Sequence, residues 1–497
     1  METSMWLYAF LSLFFLVLAF KFSSKGKRKL PPSPFPAIPF LGHLHLLKLP
    51  LHRTYHEISQ KLGPIFSFRV GNRFMVVVSS PSLVEECFTK NDTNLANRPR
   101  LIVGKHIFYN YTALGVSPYG EHWRNLRRLT AVEVVSPTRL NVFKFIRHDE
   151  IRLMLEKLYK GSKDGFARVE LRSILTEMTF NNIMRMVAGK RYFGEQKDSQ
   201  DDEKAKKFRD LIADAFRLSD TSNPADFFPF LRWLDYGGYE KSSAKTGENM
   251  DIILQEFVDE HRLRKGEATM IDHLLSLQEA QPEYYTDTVI KGLIMVILFG
   301  ATDTSALTLE WAMSALLNHP EKLEKARAQI DELVGNDRLL NESDLNQLPY
   351  IQNIISETYR LFPVAPLLIP HESSADCKIG GYDIPAGTIF LVNAWTVHRD
   401  PTVWDDPTSF KPERFEAGEV GPPKLMPFGM GKRSCPGIGL AQRVVGLALG
   451  SLIQCFDWKR MDEAQVDLTE GIGASMPKAI PLEARCKSRD ILHNVLP

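Results

Sequence analysis

Cysteine is scarce in this chain: there are five in 497 residues, at Cys87, Cys377, Cys435, Cys455 and Cys486. Their spacing shows no pairing, which excludes a disulfide scaffold and points to a reducing compartment. An excess of either charge is also missing, with 61 Lys plus Arg against 60 Asp plus Glu and a net charge of +1. No broad field attracts nucleic acid, and no basic patch stands out beyond the first thirty residues, so no nucleic-acid partner is expected. From about Leu51 onward the chain lacks low-complexity stretches, internal repeats and linkers. Length alone suggests about three domains, yet the missing boundaries favour one large body.

What is present begins with an apolar run from Trp6 to Phe20, followed by Lys21, Lys25, Lys27, Arg28 and Lys29. A bilayer-spanning helix needs about 20 apolar residues, so the run suffices if Met5 and Phe22 join it. Positive charge after the run and Glu2 before it fit an uncleaved anchor better than a cleaved signal, with the remaining chain on the cytoplasmic side. The sequons at Asn91, Asn110 and Asn341 are then chance matches. Pro31, Pro32, Pro34, Pro36 and Pro39 make residues 30–45 a stiff hinge or an ordinary linker.

The body reads as mainly α with a smaller β portion. Short β patterns occur at IFSFRVGNRFMVVVSS and at CKIGGYDIPAGTIFLVNAW, where Asp383 to Gly387 supplies the expected turn. The longest expected helix runs from about Thr286, a plausible N-cap, to Asn318, with Pro320 closing it. Its middle is apolar almost all round, which marks a buried helix. Asp303, Thr304 and Ser305 nevertheless sit there. A buried carboxylate costs several kcal/mol unless paired or hydrogen-bonded, and such conflicts mark functional sites.

Near the C-terminus, MPFGMGKRSCPGIGLAQRVVGLALG delivers Cys435 from a Gly-rich loop to the start of a helix. Helix N–H groups and Arg433 favour a thiolate, while Gly429, Gly431 and Gly437 let a flat partner approach the backbone. A lone Cys in such a place reads more often as a structural thiol. This one has company: Phe428, Gly431, Arg433, Cys435 and Gly437 together resemble the haem-ligand loop of the cytochrome P450 family.

That resemblance implies the P450 fold, a long central helix over haem and a ligand loop before a C-terminal helix. Cys435 would be the axial ligand to the haem iron, its thiolate favouring O–O cleavage. Phe428 would pack beside the sulfur, Gly437 would leave room for the cofactor, and Arg433 would meet a propionate. Trp123 and Arg127 in EHWRNLRR resemble the propionate-contacting helix, and His371 after PLLIP falls where an Arg or His meets a propionate. Glu357 and Arg360 in ISETYRLFP, with Arg414 in KPERF, resemble the structural trio that locks the core. His398 in HRDP reads as structural. Gly300 to Ser305 resembles the oxygen groove, with Thr304 near the distal oxygen and Asp303 linking it to a proton source. Ala301 stands where the family usually has Gly, and Gly300 where it has a small Ala.

No flavin or nicotinamide domain is visible, since Gly429 and Gly431 lack the third glycine and the βαβ unit of a dinucleotide site. The resemblance therefore implies haem b, O2 as co-substrate, and electrons from NADPH through a separate reductase, with cytochrome b5 as a second electron donor. Lys432 and Arg443 are candidate docking charges. The expected organisation is residues 1–29 as anchor and basic flank, 30–45 as hinge and 46–497 as one haem-thiolate monooxygenase domain. The expected location is the endoplasmic reticulum membrane, with one N-terminal pass.

The segments ECFTKNDTNLANRPR, APLLIPHESSADC and LVNAWTVHRDP are most similar to plant microsomal members that hydroxylate isoflavonoids and other phenolics, with relatives acting on lignans and terpenoids. By family position, a small lipophilic substrate would touch Ile107, Phe108, Tyr109, Leu298, Ala301, Val364, Ala365, Leu368 and Ile472. The run from Asp226 to Leu234 either dips into the bilayer or is a packed loop. A haem-thiolate isomerase or lyase, or a non-catalytic haem protein, would have no use for the Asp303 and Thr304 pair. His52 and His56 are four apart but lack a third ligand, so they read as a solvated helix face rather than a zinc site.

Overall fold

The computed structural model describes Ser12 and residues 28–194, 199–220, 223–264, 269–418 and 420–495. Apart from Ser12, the expected anchor lies outside the described residues. The Pro-rich segment is tied to the fold rather than free of it: the carbonyl oxygens of Pro31 and Pro32 accept from the Ser67 hydroxyl (2.9 Å) and Ser67 N–H (2.8 Å).

Helix α1 (Leu51–Leu62) precedes a hairpin of β1 (Ile65–Val70) and β2 (Arg73–Val78), the first expected β pattern. Gly71 turns it at φ +54°, where an added Cβ would stand 2.2 Å from the Phe227 carbonyl oxygen, so no other residue fits. Helix α2 (Ile102–His106) and α3 (Glu121–Leu129) follow, then β3 (Ala167–Glu170), α4 (Leu171–Ala188), α5 (Ser199–Asp220) and α6 (Tyr239–Arg264).

The long central helix is two helices in line, α7 (Asp287–Ala301) and α8 (Asp303–Asn318), broken at Thr302. Thr286 caps the first through Val289 N–H, and the second ends before Pro320, so the expected outer limits hold. The break is a one-residue interruption, with Thr302 still in the right-handed helical region, so the expected helix holds over Asp287–Asn318 with a kink. Its cause is local: hydroxyls of Thr302 and Thr304 donate to the carbonyls of Leu298 and Gly300, each at 2.7 Å, and such i−4 bonds bend helices.

Helix α9 (Pro349–Leu361) leads to β4 (His371–Glu372), β5 (Cys377–Ile379), β6 (Tyr382–Ile384) and β7 (Ile389–Val392). The second β pattern forms with the expected turn: β6 and β7 are joined at Pro385 to Thr388, where Thr388 N–H donates to the Pro385 carbonyl at 3.3 Å and Gly387 sits at φ +76°. A further tight turn at Gly380 and Gly381, at φ +56° and +75°, joins β5 to β6, as a two-residue hairpin requires. One sheet has the order β1-β2-β7-β4, with β2 and β7 parallel. Helix α10 (Ile438–Cys455) then runs into β8 (Phe456–Lys459), which pairs with β9 (Glu483–Ser488), and β9 with β3. Helix α8 packs on α4, α9 and α10. Buried Trp311 stacks on Phe362 at 4.4 Å and seals that junction. Truncating so large a side chain costs about 3 to 5 kcal/mol.

Candidate active site

Cys435 ends a loop held by its own backbone. Cys435 N–H donates to the Phe428 carbonyl at 2.8 Å, and Gly437 N–H donates to Cys435 Sγ at 3.3 Å. Gly431 sits at φ +71° with an added Cβ only 2.5 Å from an Asp92 carboxylate oxygen, while Asp92 accepts Lys432 N–H at 3.1 Å. Surface area ranks Cys435 as exposed, yet burial pushes its thiol up, against Gly437 N–H and Arg127. Burial thus works against the thiolate that the helix N-terminus, Gly437 N–H and Arg127 favour. Phe428 meets Tyr359 edge-on at 5.2 Å.

Three arginines crowd beside this loop. Arg433 donates to the carbonyls of Ala96 (2.7 Å), Leu114 (3.2 Å) and Ser117 (2.5 Å), and lies 4.3 Å over the Trp123 ring. Arg98 donates to Ile369 (2.8 Å), Pro370 (2.7 Å) and Gly115 (3.3 Å). Arg127 donates to the Ser434 carbonyl at 2.6 Å. Burial and Arg433 push Arg98 down to about 9; burial and Arg127 push Arg433 down to about 10. Among the described residues none of the three is paired with a carboxylate. Desolvated cations without a counter-charge fit an anionic ligand, as haem propionates are. His371 Nδ1 meets the Leu95 carbonyl at 2.6 Å, and burial with Arg98 holds the ring neutral. Sequence reading missed Arg98, because NRPR does not show which arginine turns inward; two of its three partners, Ile369 and Pro370, lie 271 and 272 residues downstream.

Glu357 and Arg360 are wholly buried, joined by bonds of 2.7 and 2.8 Å, with Arg414 Nε on Glu357 at 3.1 Å. Arg360 reaches the His398 carbonyl at 2.8 Å, and His398 Nε2 accepts Met426 N–H at 2.9 Å. The trio thus supports the start of the Cys435 loop. Removing one partner of a buried pair costs about 3 to 5 kcal/mol.

Across the break, Asp303 accepts the Ser475 hydroxyl at 3.4 Å; burial raises its carboxyl while Ser475 and Arg172 lower it. Ala301, Thr304, Val364, Ala365 and Leu368 are part-exposed and Gly300 is exposed. Leu298 and Ile107 are fully buried in apolar packing. Tyr109 lies beside Asp251, which pairs with Lys291 at 2.5 Å. Phe108 meets Phe299 edge-on at 5.3 Å, and Phe299 stacks on Phe216 at 4.3 Å; neither Phe299 nor Phe216 stands out in the sequence. Ile369 and Ile472 are open, the latter 69% exposed. His52 is buried and pairs with Glu470 at 3.0 Å, so it is no solvated face; His56 meets Thr396 at 3.2 Å.

The cytochrome P450 family model matches residues 31–480. Over 498 residues the chain is 59% identical to Cytochrome P450 81Q32 of Catharanthus roseus, covering 100% of this chain and 99% of the relative. It is 56% identical to the (+)-piperitol/(+)-sesamin synthase CYP81Q2 of Sesamum radiatum, over 100% of this chain and 99% of that one. Identity to an isoflavone 2'-hydroxylase of Glycyrrhiza echinata is 52%, over 97% and 98% of the two chains. A solved zebra fish cytochrome P450 structure with progesterone superposes with a TM-score of 0.76 at 25% identity, covering 89% of this chain and 100% of that one. The chain belongs to the cytochrome P450 family and is a haem-thiolate monooxygenase that uses haem b, O2 and reductase-delivered electrons.

Proposed function

We propose that this protein inserts one oxygen atom into, or oxidatively closes a ring on, a lipophilic plant metabolite of the isoflavonoid, lignan, other phenolic or terpenoid class. The observation that carries the site is the cluster beside the Cys435 loop of Arg98, buried, and Arg127 and Arg433, half-buried, none of which has a carboxylate partner among the described residues. When bound, haem supplies the oxygen-activating redox chemistry. Cys435 Sγ would hold its iron. Arg98, Arg127 and Arg433, with Trp123 under the last, would hold the propionates. His371, beside Arg98 and Arg433, would lie against the same groups. Phe428 packs near the sulfur, and Gly437 keeps the approach clear.

On the other side Asp303 links the site to a proton source through its carboxylate and Thr304 presents a hydroxyl, the two groups that oxygen activation requires. The methyl of Ala301 narrows the groove and shifts where the substrate sits. Phe108, Phe299 and Phe216 form an aromatic array that suits a flat ring. Names of relatives, an isoflavone hydroxylase and a lignan synthase, support the phenolic classes.

The body at 46–497 acts as one domain, held on the cytoplasmic side of the endoplasmic reticulum by the 1–29 segment. Phe230, Trp233 (94% exposed) and Leu234 support bilayer contact, whereas Phe227 and Phe228 pack on the sheet. Phe35 (92% exposed) and Phe40 extend that apolar surface, because Leu41 and Phe227 both accept backbone bonds from the Gly71 and Asn72 turn. Lys432 and Arg443 serve the reductase, and cytochrome b5.

Microsomes expressing the chain with a plant reductase test this reading. Incubated with isoflavones and (+)-piperitol, they should give an NADPH-dependent product that has gained one oxygen or lost two hydrogens. A chain that binds haem through thiolate yet converts substrates without NADPH would instead be a lyase or isomerase.

A further inference from the structure

The segment after Glu470 is a hairpin fixed from several sides. Glu470 and Lys478 form a β-bridge, and Gly471 N–H donates to the Pro477 carbonyl at 2.7 Å. Trp311 of α8 donates to the Met476 carbonyl and Met476 N–H to the Val364 carbonyl, both at 2.8 Å. Arg172 of α4 donates to the Lys478 carbonyl at 2.9 Å. At the base, the Glu470 side chain is only 6% exposed and pairs with His52 and Arg53 of α1. A loop held by α1, α4, α8 and Val364 places its side chains reproducibly, and the one it places on Asp303 is Ser475.

Asp303 follows directly on the break at Thr302. Among the described residues it forms no ion pair, and Ser475 is the side chain hydrogen-bonded to it. We propose that Ser475 is a positioning residue for Asp303: its hydroxyl fixes the carboxylate's rotamer and holds it in the ionised, proton-accepting state between turnovers. This rests on the reading of Asp303 as the link to the proton source.

The charges around Asp303 leave this task to Ser475. Arg172 faces it from α4 but is engaged by Glu310 at 2.9 Å, and the other Glu310 oxygen accepts Leu482 N–H at 2.8 Å. Lys478 of the hairpin lies 5.1 Å over the Trp311 ring and donates to the Asp467 carbonyl. These groups are committed elsewhere. Burial pushes the Asp303 carboxyl up, and the Ser475 hydrogen bond is the leading opposing influence, ahead of Arg172.

The test titrates the full-length holoprotein, reduced and bound to carbon monoxide, and reads the C–O infrared stretch against pH. The stretch should show a transition in the wild type that Asp303→Asn abolishes. Ser475→Ala should move its midpoint up by about half a pH unit or more, with melting temperature nearly unchanged, and Ser475→Thr should restore it. If Asp303→Asn leaves the transition intact, the Asp303 reading falls and this inference with it. If Asp303→Asn abolishes it while Ser475→Ala leaves the midpoint in place, the role of Ser475 alone is overturned. Ser475→Cys, a weaker donor, gives the same comparison with an intermediate midpoint should the alanine variant fail to take up haem.

Discussion

The hydroxyl of Thr304 donates to the carbonyl oxygen of Gly300 at 2.7 Å, across the break at Thr302. Gly300 is exposed and an added Cβ would meet nothing within 4 Å, so the groove has space beside this bond. Thr304→Ala should therefore cost at most about 1 kcal/mol of stability, and leave the carbon monoxide spectrum intact. It should lower product per NADPH and raise hydrogen peroxide, measured together in the reconstituted system, while Thr304→Ser keeps both near wild type.

Ala301 is the last residue of α7 and its methyl faces a part-exposed position next to Gly300. Ala301→Gly should change the ratio of oxidation products, read by chromatography, at a stability cost of about 1 kcal/mol for glycine in a helix. Unchanged regiochemistry would show that the methyl does not shape substrate placement.

Arg98 donates to three carbonyls and faces another cation, Arg433. Arg98→Gln keeps a donor while removing the repulsion. Haem transfer to apomyoglobin should become several-fold faster, because a propionate partner is lost, while the haem-free protein melts no lower than wild type. Equal haem retention would exclude Arg98 from the propionate cluster.

Burial, aided by Arg399 and Arg360, pushes His398 down to about 3. Its folded value lies below the unfolded one, so stability is full above pH 6.5 and declines as pH falls from 6.5 towards 3. The slope is about 1.4 kcal/mol per pH unit over that window. His398→Gln, which still offers an acceptor to Met426 N–H, should flatten this part of the profile in thermal melts at stepped pH.

The parts of the site legible in sequence were those with fixed local spacing, namely the Cys435 loop, Glu357 with Arg360, and the polar insertion at Asp303 in an apolar helix. Apolar periodicity revealed α7 and α8 as a buried element, but it could not show the break, since threonine hydroxyls on i−4 carbonyls leave the pattern untouched. His52 read as solvated because its partner Glu470 lies 418 residues away, and a His on a polar helix face carries no mark of it. Separations of 271 and 272 residues likewise hid Arg98, whose environment depends on Ile369 and Pro370.

The account depends most on Cys435 as the iron ligand. The carbon monoxide difference spectrum of the reduced full-length protein tests this directly. The wild type and the variants Cys87→Ala, Cys377→Ala, Cys455→Ala and Cys486→Ala should, where folded, all give the red-shifted Soret band of thiolate ligation, and Cys435→Ala should lose it. A Cys435→Ala protein that keeps that band, or a wild type that never shows it, would contradict the account.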